Sequence, residues 1–307
     1  MSDAVLKVRN LNKNFKDIKA LQEINMTLNK GDIYGLIGEN GSGKTTLIRI
    51  ITGLSYQTSG EIKLFEGLNS LEGKRDKLGA IVENPMLYPN MTAKQNIEVE
   101  RIQRGISRKN IVKELLDLVG LKDTCKKVKH FSLGMKQRLG LAIALLSSPE
   151  ILILDEPTNG LDPMGIMDLR NLLLKINKER NIAILISSHI LGELFQLANC
   201  YGFIHDGKLI QEITLEKLKN KRKHYVSLKV DNVNKAIALL QNKINIEKVD
   251  VHPDNEIKIY DPNINTGVIT KNLVRNDVIV YEITNIAESL ENYYKQLING
   301  GDYEKFN

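Results

Sequence analysis

The sequence predicts an α/β protein: a mainly parallel sheet core, a helical segment inserted into it, and a small α+β domain at the C-terminal end. Three observations carry this. Short apolar runs (IYGLI, ILILD, IAILIS) recur with helical stretches between them, as in strands covered on both faces. From about residue 85 to 148 the pattern is helical. Beyond a basic run at 215–225, LEKLKNKRKHY, short strands and helices alternate.

Taken in order, residues 5–8 and 18–28 hold β-like runs with alternation. IYGLIG (33–38) is an apolar strand that runs into a glycine-rich loop, and KTTLIRIITGL continues as an amphipathic helix. Within the insertion, Thr92 and Gln95 fit a capping box. Ile111, Leu115, Leu116 and Val119 follow helical spacing, with Gly120 as the stop. ILILD (151–155) is the next core strand. A helix with Leu169, Leu172, Leu173 and Ile176 on one face follows it, then the strand IAILIS (182–187). The last part reads as YVSLKV, a helix at NKAIALLQN, strands near Val249 and Ile257, a helix at about 268–274, the strand VIVYEI and a final helix. That order, β-α-β-β-α-β-α, predicts a ferredoxin-like domain. The expected domains are 3–222 and 223–307.

The totals set bounds on function. The 307 residues suffice for about two domains, and 42% hydrophobic with 26% charged residues is an ordinary globular composition. The longest apolar run, 139–146, is far short of the roughly 20 residues of a membrane span. The start, MSDAVLKVRN, has no signal-like stretch, so a cytoplasmic protein is expected. Cys125 and Cys200 have no metal-like spacing and read as reduced thiols. The net charge is +6, yet from Tyr225 onward nine Lys/Arg face twelve Asp/Glu, so the positive excess lies before that point. The basic run at 215–225 is a solvated hinge or a membrane-surface segment. With aromatic residues at 5% and no Trp, base stacking is poorly supported and no nucleic-acid partner is expected.

Four stretches carry chemistry. GENGSGKTT (38–46) matches G-x-x-x-x-G-K-[ST] in full, between a strand and a helix. Gly38, Gly41 and Gly43 let backbone N–H groups surround phosphate oxygens, with Glu39, Asn40, Ser42 and Thr46 completing the loop. Lys44 would reach the terminal phosphates and the Thr45 hydroxyl would coordinate Mg²⁺. In ILILDEP, Asp155 ends a buried strand where a carboxylate can hold Mg²⁺, and Glu156 could polarise an attacking water. Two adjacent acids could instead cap the next helix. His189 ends ILISSH, again at the carboxyl end of an apolar strand, where open α/β sheets bind ligands. A structural histidine is the alternative. Finally, FSLGMKQRLG (131–140) sets Ser132 and Gly134 at the mouth of a helix with Lys136 and Arg138 behind, a second anion site far from the phosphate loop.

In this order, residues 38–46, 131–137, 151–156, Asp162 and His189 resemble an ATP-binding-cassette (ABC) ATPase, the energy-supplying subunit of ABC transporters, over about residues 3–220. The resemblance implies a P-loop NTPase fold with an antiparallel β part and the helical subdomain at 85–148. It also implies ATP and Mg²⁺ as ligands, separate transmembrane permease subunits, and a site at the inner face of the cell membrane. The family pairs its ATPase subunits head to tail. Ser132, Leu133, Gly134 and Met135 would then contact ATP held by a second copy of the chain, which accounts for a second anion site; Ser132 as an ordinary N-cap is compatible with this. By the same resemblance Phe15 stacks on adenine unless it is a core residue, Asp162 belongs to a loop at the dimer interface, Glu156 is the general base and His189 senses the γ-phosphate. Two departures stand out. The signature reads FSLGMKQ rather than LSGGQ, and Glu83, in AIVENP, occupies the family's usual glutamine position, where a carboxylate can still bind Mg²⁺ or order water.

Both departures, in LGAIVENP and SLGMKQRLGLA, are similar to the ATPase subunits of bacitracin- and lantibiotic-type peptide-antibiotic exporters. The expected function is ATP hydrolysis coupled to export of a peptide antibiotic or other drug. An exporter of ions or lipids, and a weakly hydrolysing nucleotide-dependent regulatory protein, are the alternatives.

Overall fold

The computed structural model describes residues 4–65, 75–122, 125–221, 224–244, 246, 248–253, 255–260, 265–287 and 290–299. The chain divides into two compact units, 1–215 and 216–307. The domain limits expected at residues 3, 222 and 223 lie outside the described residues.

In chain order the first unit contains β1 (Ala4–Phe15), β2 (Ile18–Asn29), β3 (Ile33–Ile37), α1 (Lys44–Ile51), β4 (Ser59–Leu64), β5 (Leu78–Ile81), α2 (Ala93–Gln103), α3 (Ile111–Leu118), α4 (Leu133–Ala144), β6 (Ile151–Asp155), α5 (Pro163–Arg180), β7 (Ala183–Ser188), α6 (Leu191–Phe195), β8 (Cys200–His205) and β9 (Lys208–Thr214). Two sheets result. One is antiparallel in the order β2-β1-β4; the other has six strands in the order β5-β6-β7-β3-β8-β9. From β5 to β8 every pair is parallel, and β9 closes the edge as an antiparallel hairpin partner of β8. Every residue of β3, β6 and β7 is buried, which is why these strands are apolar without alternation.

Of the inserted helices, α2 and α4 begin at side-chain caps, whereas Asn110 before α3 makes no side-chain cap hydrogen bond. Thr92 accepts from the Gln95 N–H while the Gln95 side chain accepts from the Thr92 N–H, a complete capping box. Helix α3 buries Ile111, Val112, Leu115 and Leu116 and stops before Gly120, whose φ is +65°. The core-side helix α5 starts at Asp162 with Pro163 in its first turn, buries Leu169, Leu172, Leu173 and Ile176, and ends at left-handed Asn181.

The predicted runs leave out β4, β5, β8 and β9. The case of β8 is instructive, because Gly202 interrupts its apolar pattern. A Cβ at Gly202 would stand 2.2 Å from the Tyr34 hydroxyl oxygen, so this glycine makes room for a fully buried ring on the neighbouring strand.

The second unit holds α7 (Leu215–Lys221, whose first residue belongs to the first unit), β10 (His224–Val230), α8 (Val233–Ile244), β11 (Val249–His252), β12 (Glu256–Ile259), α9 (Thr266–Arg275), β13 (Val280–Ala287) and α10 (Leu290–Ile298). Its sheet is antiparallel in the order β11-β12-β10-β13. Alternate residues of β10 (Val226, Leu228, Val230) share one core with Leu240 of α8 and with Ile269 and Leu273 of α9, so both helices cover the same face. This is the split β-α-β arrangement. The last strand begins at Val280, two residues later than predicted, and runs on to Ala287.

Candidate active site

Parallel pairing sets β6, β7 and β3 side by side and in register. Ile37 lies opposite Ser188, and Asp155 lies opposite Ser187. The three carboxyl ends therefore deliver the 38–46 loop, the Asp155–Glu156 pair and His189 to one sheet edge.

The loop rests on the turn after β8. A Cβ on Gly38 would come within 2.4 Å of the Ile204 carbonyl oxygen, so only glycine fits there. The Gly207 N–H donates to the Ser42 carbonyl at 3.0 Å, and the Gln22 N–H donates to the Gly207 carbonyl at 2.7 Å. Gly41 and Gly43 have φ of +84° and +109°, the left-handed region that glycine tolerates. The buried Lys44 ammonium donates to the carbonyls of Gly38 (2.8 Å) and Glu39 (3.1 Å) and forms an ion pair with Glu156 Oε1 at 3.1 Å. The other Glu156 oxygen, Oε2, lies 2.7 Å from His189 Nδ1. The triad Lys44–Glu156–His189 thus joins three strand ends.

Asp155 is 1% exposed, and its Oδ1 accepts from the Ser187 hydroxyl at 2.7 Å. The Glu156 N–H donates back to the same hydroxyl at 2.9 Å. Beside the loop lies an open cleft of about 510 Å³, whose lining includes Lys19, Gln22, Lys44, Thr45, Glu156, Asn159 and Asp206. Gln22, Asn159, Ser187 and Asp206 carry no motif, and sequence reasoning missed them. The Ser42 hydroxyl oxygen is buried with no hydrogen-bond partner, an unmet polar group within the loop itself.

These residues fit Mg²⁺ together with a nucleotide. Thr45 and Asp155 offer hard oxygen donors, and Mg²⁺ is held by one or two carboxylates plus substrate phosphates rather than by an all-protein cage. No cluster of three or more His, Cys, Asp or Glu suited to a metal occurs among the described residues.

Other predicted residues lie elsewhere. Phe15 is 49% exposed at the end of β1 with the Lys13 ammonium 4.6 Å over its ring, and it does not line the cleft. Glu83 has φ of +62° and forms an ion pair with Arg49 of α1. Ser132 caps α4, its hydroxyl accepting from the Met135 N–H at 3.2 Å. Asp162 caps α5, accepting from the Gly165 N–H at 3.0 Å. Leu133 borders the turn at Gly160, where an added Cβ would be 3.0 Å from it, and Gly134 faces Leu161, so the 132–135 segment and the 160–162 turn adjoin within one chain. None of residues 132–135 lines the cleft.

Comparison with known proteins agrees with this geometry. A sequence model of the ABC transporter family matches residues 21–159. The chain is 44% identical to the bacitracin transport ATP-binding protein BcrA of Bacillus licheniformis, over 97% of this chain and 98% of that protein. It is 48% identical to the lantibiotic transport ATP-binding protein SrtF of Streptococcus pyogenes, over 68% of this chain and 90% of that protein. Among solved structures, a dimeric ATP-binding cassette in a post-hydrolysis state, bound to ADP and Pi, superposes with a TM-score of 0.60 at 28% identity, covering 68% of this chain and 98% of the other. A phosphate loop, two strand-end acids and a strand-end histidine, on a chain related along nearly its whole length to BcrA, lead to one conclusion: the protein belongs to the ABC transporter family, as an ATPase subunit of the group that includes the bacitracin and lantibiotic transport ATP-binding proteins.

Proposed function

We propose that this chain hydrolyses Mg²⁺-ATP to drive export of a peptide antibiotic through separate membrane subunits, at the inner face of the cell membrane. The convergence of Lys44, Glu156 and His189 beside the phosphate loop carries the chemical part of this reading. The similarity to a bacitracin transport protein over 97% of the chain supports the cargo class. Among the described residues no helix is long and apolar enough to cross a membrane, which supports a separate transport path.

A lysine ammonium has three donors. Here two of them serve the Gly38 and Glu39 carbonyls, and the ammonium forms an ion pair with Glu156 Oε1, which accepts no hydrogen bond among the described residues. When ATP occupies the loop, its terminal phosphates take over these donors, and Glu156 is released from Lys44 while His189 still holds Oε2. The freed Oε1 accepts the proton of the attacking water, a contribution of about 10²–10⁴ in rate. Thr45 and Asp155 would hold Mg²⁺, which would supply positive charge to offset that of the terminal phosphates. Glu83 joins that set only if its pair with Arg49 opens.

The separation of Ser132–Met135 from the cleft supports a two-molecule site. In a head-to-tail dimer, Ser132 and Gly134 of one protomer meet the γ-phosphate held by the phosphate loop of the other, with Asp162 at the interface. ADP lacks that phosphate, so its release of the contact is a population shift toward the open form. The second unit is an accessory domain.

The test is twofold. In purified protein, Glu156→Gln should lower turnover by a factor of order 10²–10⁴ while ATP still binds, and Lys44→Ala should abolish binding. In cells that carry the membrane subunits, the wild-type chain should raise survival in bacitracin or a lantibiotic and Lys44→Ala should not. Wild-type turnover in Glu156→Gln contradicts the chemistry; unchanged survival with an active ATPase contradicts the cargo.

A further inference from the structure

We infer that Ser187 is a positioning residue, whose hydroxyl couples the metal-side carboxylate of Asp155 to the backbone of the catalytic Glu156. This rests on the ATPase reading above and deepens it.

Ser187 is 0% exposed in a strand otherwise composed, up to that point, of Ala183, Ile184, Leu185 and Ile186. A buried hydroxyl in such a strand requires partners for both its proton and its lone pairs. Ser187 has two, and they belong to consecutive residues of the site. Its O–H donates to Asp155 Oδ1 at 2.7 Å, and its oxygen accepts the Glu156 N–H at 2.9 Å. The parallel register sets Ser187 directly opposite Asp155, so main chain and side chain act at the same rung.

Two consequences follow. First, the donor fixes which Asp155 oxygen is occupied, and so fixes how the carboxylate is presented to a metal. Orientation of a ligand by a buried neighbour is worth about 10–100-fold in metal affinity or activity. Second, Glu156 has φ of +48°, a left-handed conformation that a residue with a side chain adopts only when its surroundings hold it there. The hydrogen bond from its N–H to Ser187 is such a restraint. The same backbone direction carries the Glu156 carboxylate to Lys44 Nζ (3.1 Å) and His189 Nδ1 (2.7 Å). The neighbouring hydroxyl of Ser188 acts elsewhere, accepting the Ile190 N–H at 3.0 Å and shaping the turn after His189.

The experiment compares full-length wild type with Ser187→Ala, Ser187→Cys and Ser187→Thr. The readouts are kcat, the Mg²⁺ concentration for half-maximal binding of a fluorescent ATP analogue, analogue affinity in EDTA, and amide hydrogen exchange at Glu156 without nucleotide. Ser187→Ala should lower kcat about 10–100-fold and raise the Mg²⁺ requirement about tenfold. Affinity in EDTA should stay within about twofold, and the Glu156 amide should exchange faster. Ser187→Cys, close in volume but a weak donor, should behave like Ser187→Ala and serves if the latter fails to fold. Ser187→Thr, which keeps the hydroxyl, should restore kcat to within about threefold. Wild-type kcat and Mg²⁺ requirement in Ser187→Ala or Ser187→Cys overturn the inference, as does a Ser187→Thr protein no better than Ser187→Ala. A wild-type chain that neither binds nor hydrolyses Mg²⁺-ATP overturns the ATPase reading itself, a result distinguishable from these.

Discussion

Lys44 and Glu156 form an ion pair inside the protein, so the charge of each already has a partner in this structure. The ion pair is short, at 3.1 Å, and Lys44 is 5% exposed, so solvent does not screen it as it would a surface pair. Elsewhere, burial decides reactivity. The Cys200 thiol is pushed up to about 12, first by burial and then by the charges of Asp32 and Glu212. Cys125 is exposed. At pH 8 a thiol-reactive chromophore should therefore label Cys125 within minutes and Cys200 only after denaturation; two fast thiols in the folded protein would contradict this. In the second unit, the Ser227 hydroxyl donates to Glu256 Oε1 at 2.6 Å and is the main cause that holds this carboxyl below its ordinary value of 4.5. A depressed folded value stabilises the fold above the unfolded value and loses that stabilisation as pH falls through the folded one. Ser227→Ala should thus lower the urea midpoint at pH 7 more than at pH 3. An equal or larger gap at pH 3 would contradict the assignment.

Elements follow the same logic of local fit. The phosphate loop is held by its own glycines and by the turn at 206–207, whose Gly207 N–H bonds the Ser42 carbonyl. Helix α2 depends on its reciprocal cap, and Thr92→Ala should cost about 1 kcal/mol, read from urea unfolding, whereas Thr92→Ser should cost less. Equal losses in the two variants would remove the cap as the cause. Strands β3, β6 and β7 and helix α5 were legible because their residues are apolar on the faces that the structure buries. The motif residues at the ends of those strands were legible for the same reason, since a parallel sheet brings its carboxyl ends together. Strand β8 was not, because Gly202 breaks its pattern to admit Tyr34 from the adjacent strand. Ser187 was passed over as an ordinary strand residue, since its meaning depends on the register with Asp155. The Arg49–Glu83 pair joins residues 34 positions apart and has no local signature at all.

At the scale of the whole molecule, the two compact units have separate cores: the β1–β9 layers in one, and the sheet covered by α8 and α9 in the other. A chain that ends at residue 221 should bind ATP with affinity within about twofold of the full-length protein, measured by titration calorimetry; loss of the folded cassette would show that the second unit is integral. The signature segment does not line the cleft at the phosphate loop and begins a helix whose N-terminus is capped by Ser132. The two-copy account turns on what that helix end meets. The most direct measurement is the structure of Glu156→Gln saturated with Mg²⁺-ATP. The account predicts a dimer in which Ser132 and Gly134 of one protomer lie within hydrogen-bond distance of the γ-phosphate bound to the other. A nucleotide-loaded structure in which the Ser-Leu-Gly segment touches no triphosphate would contradict it.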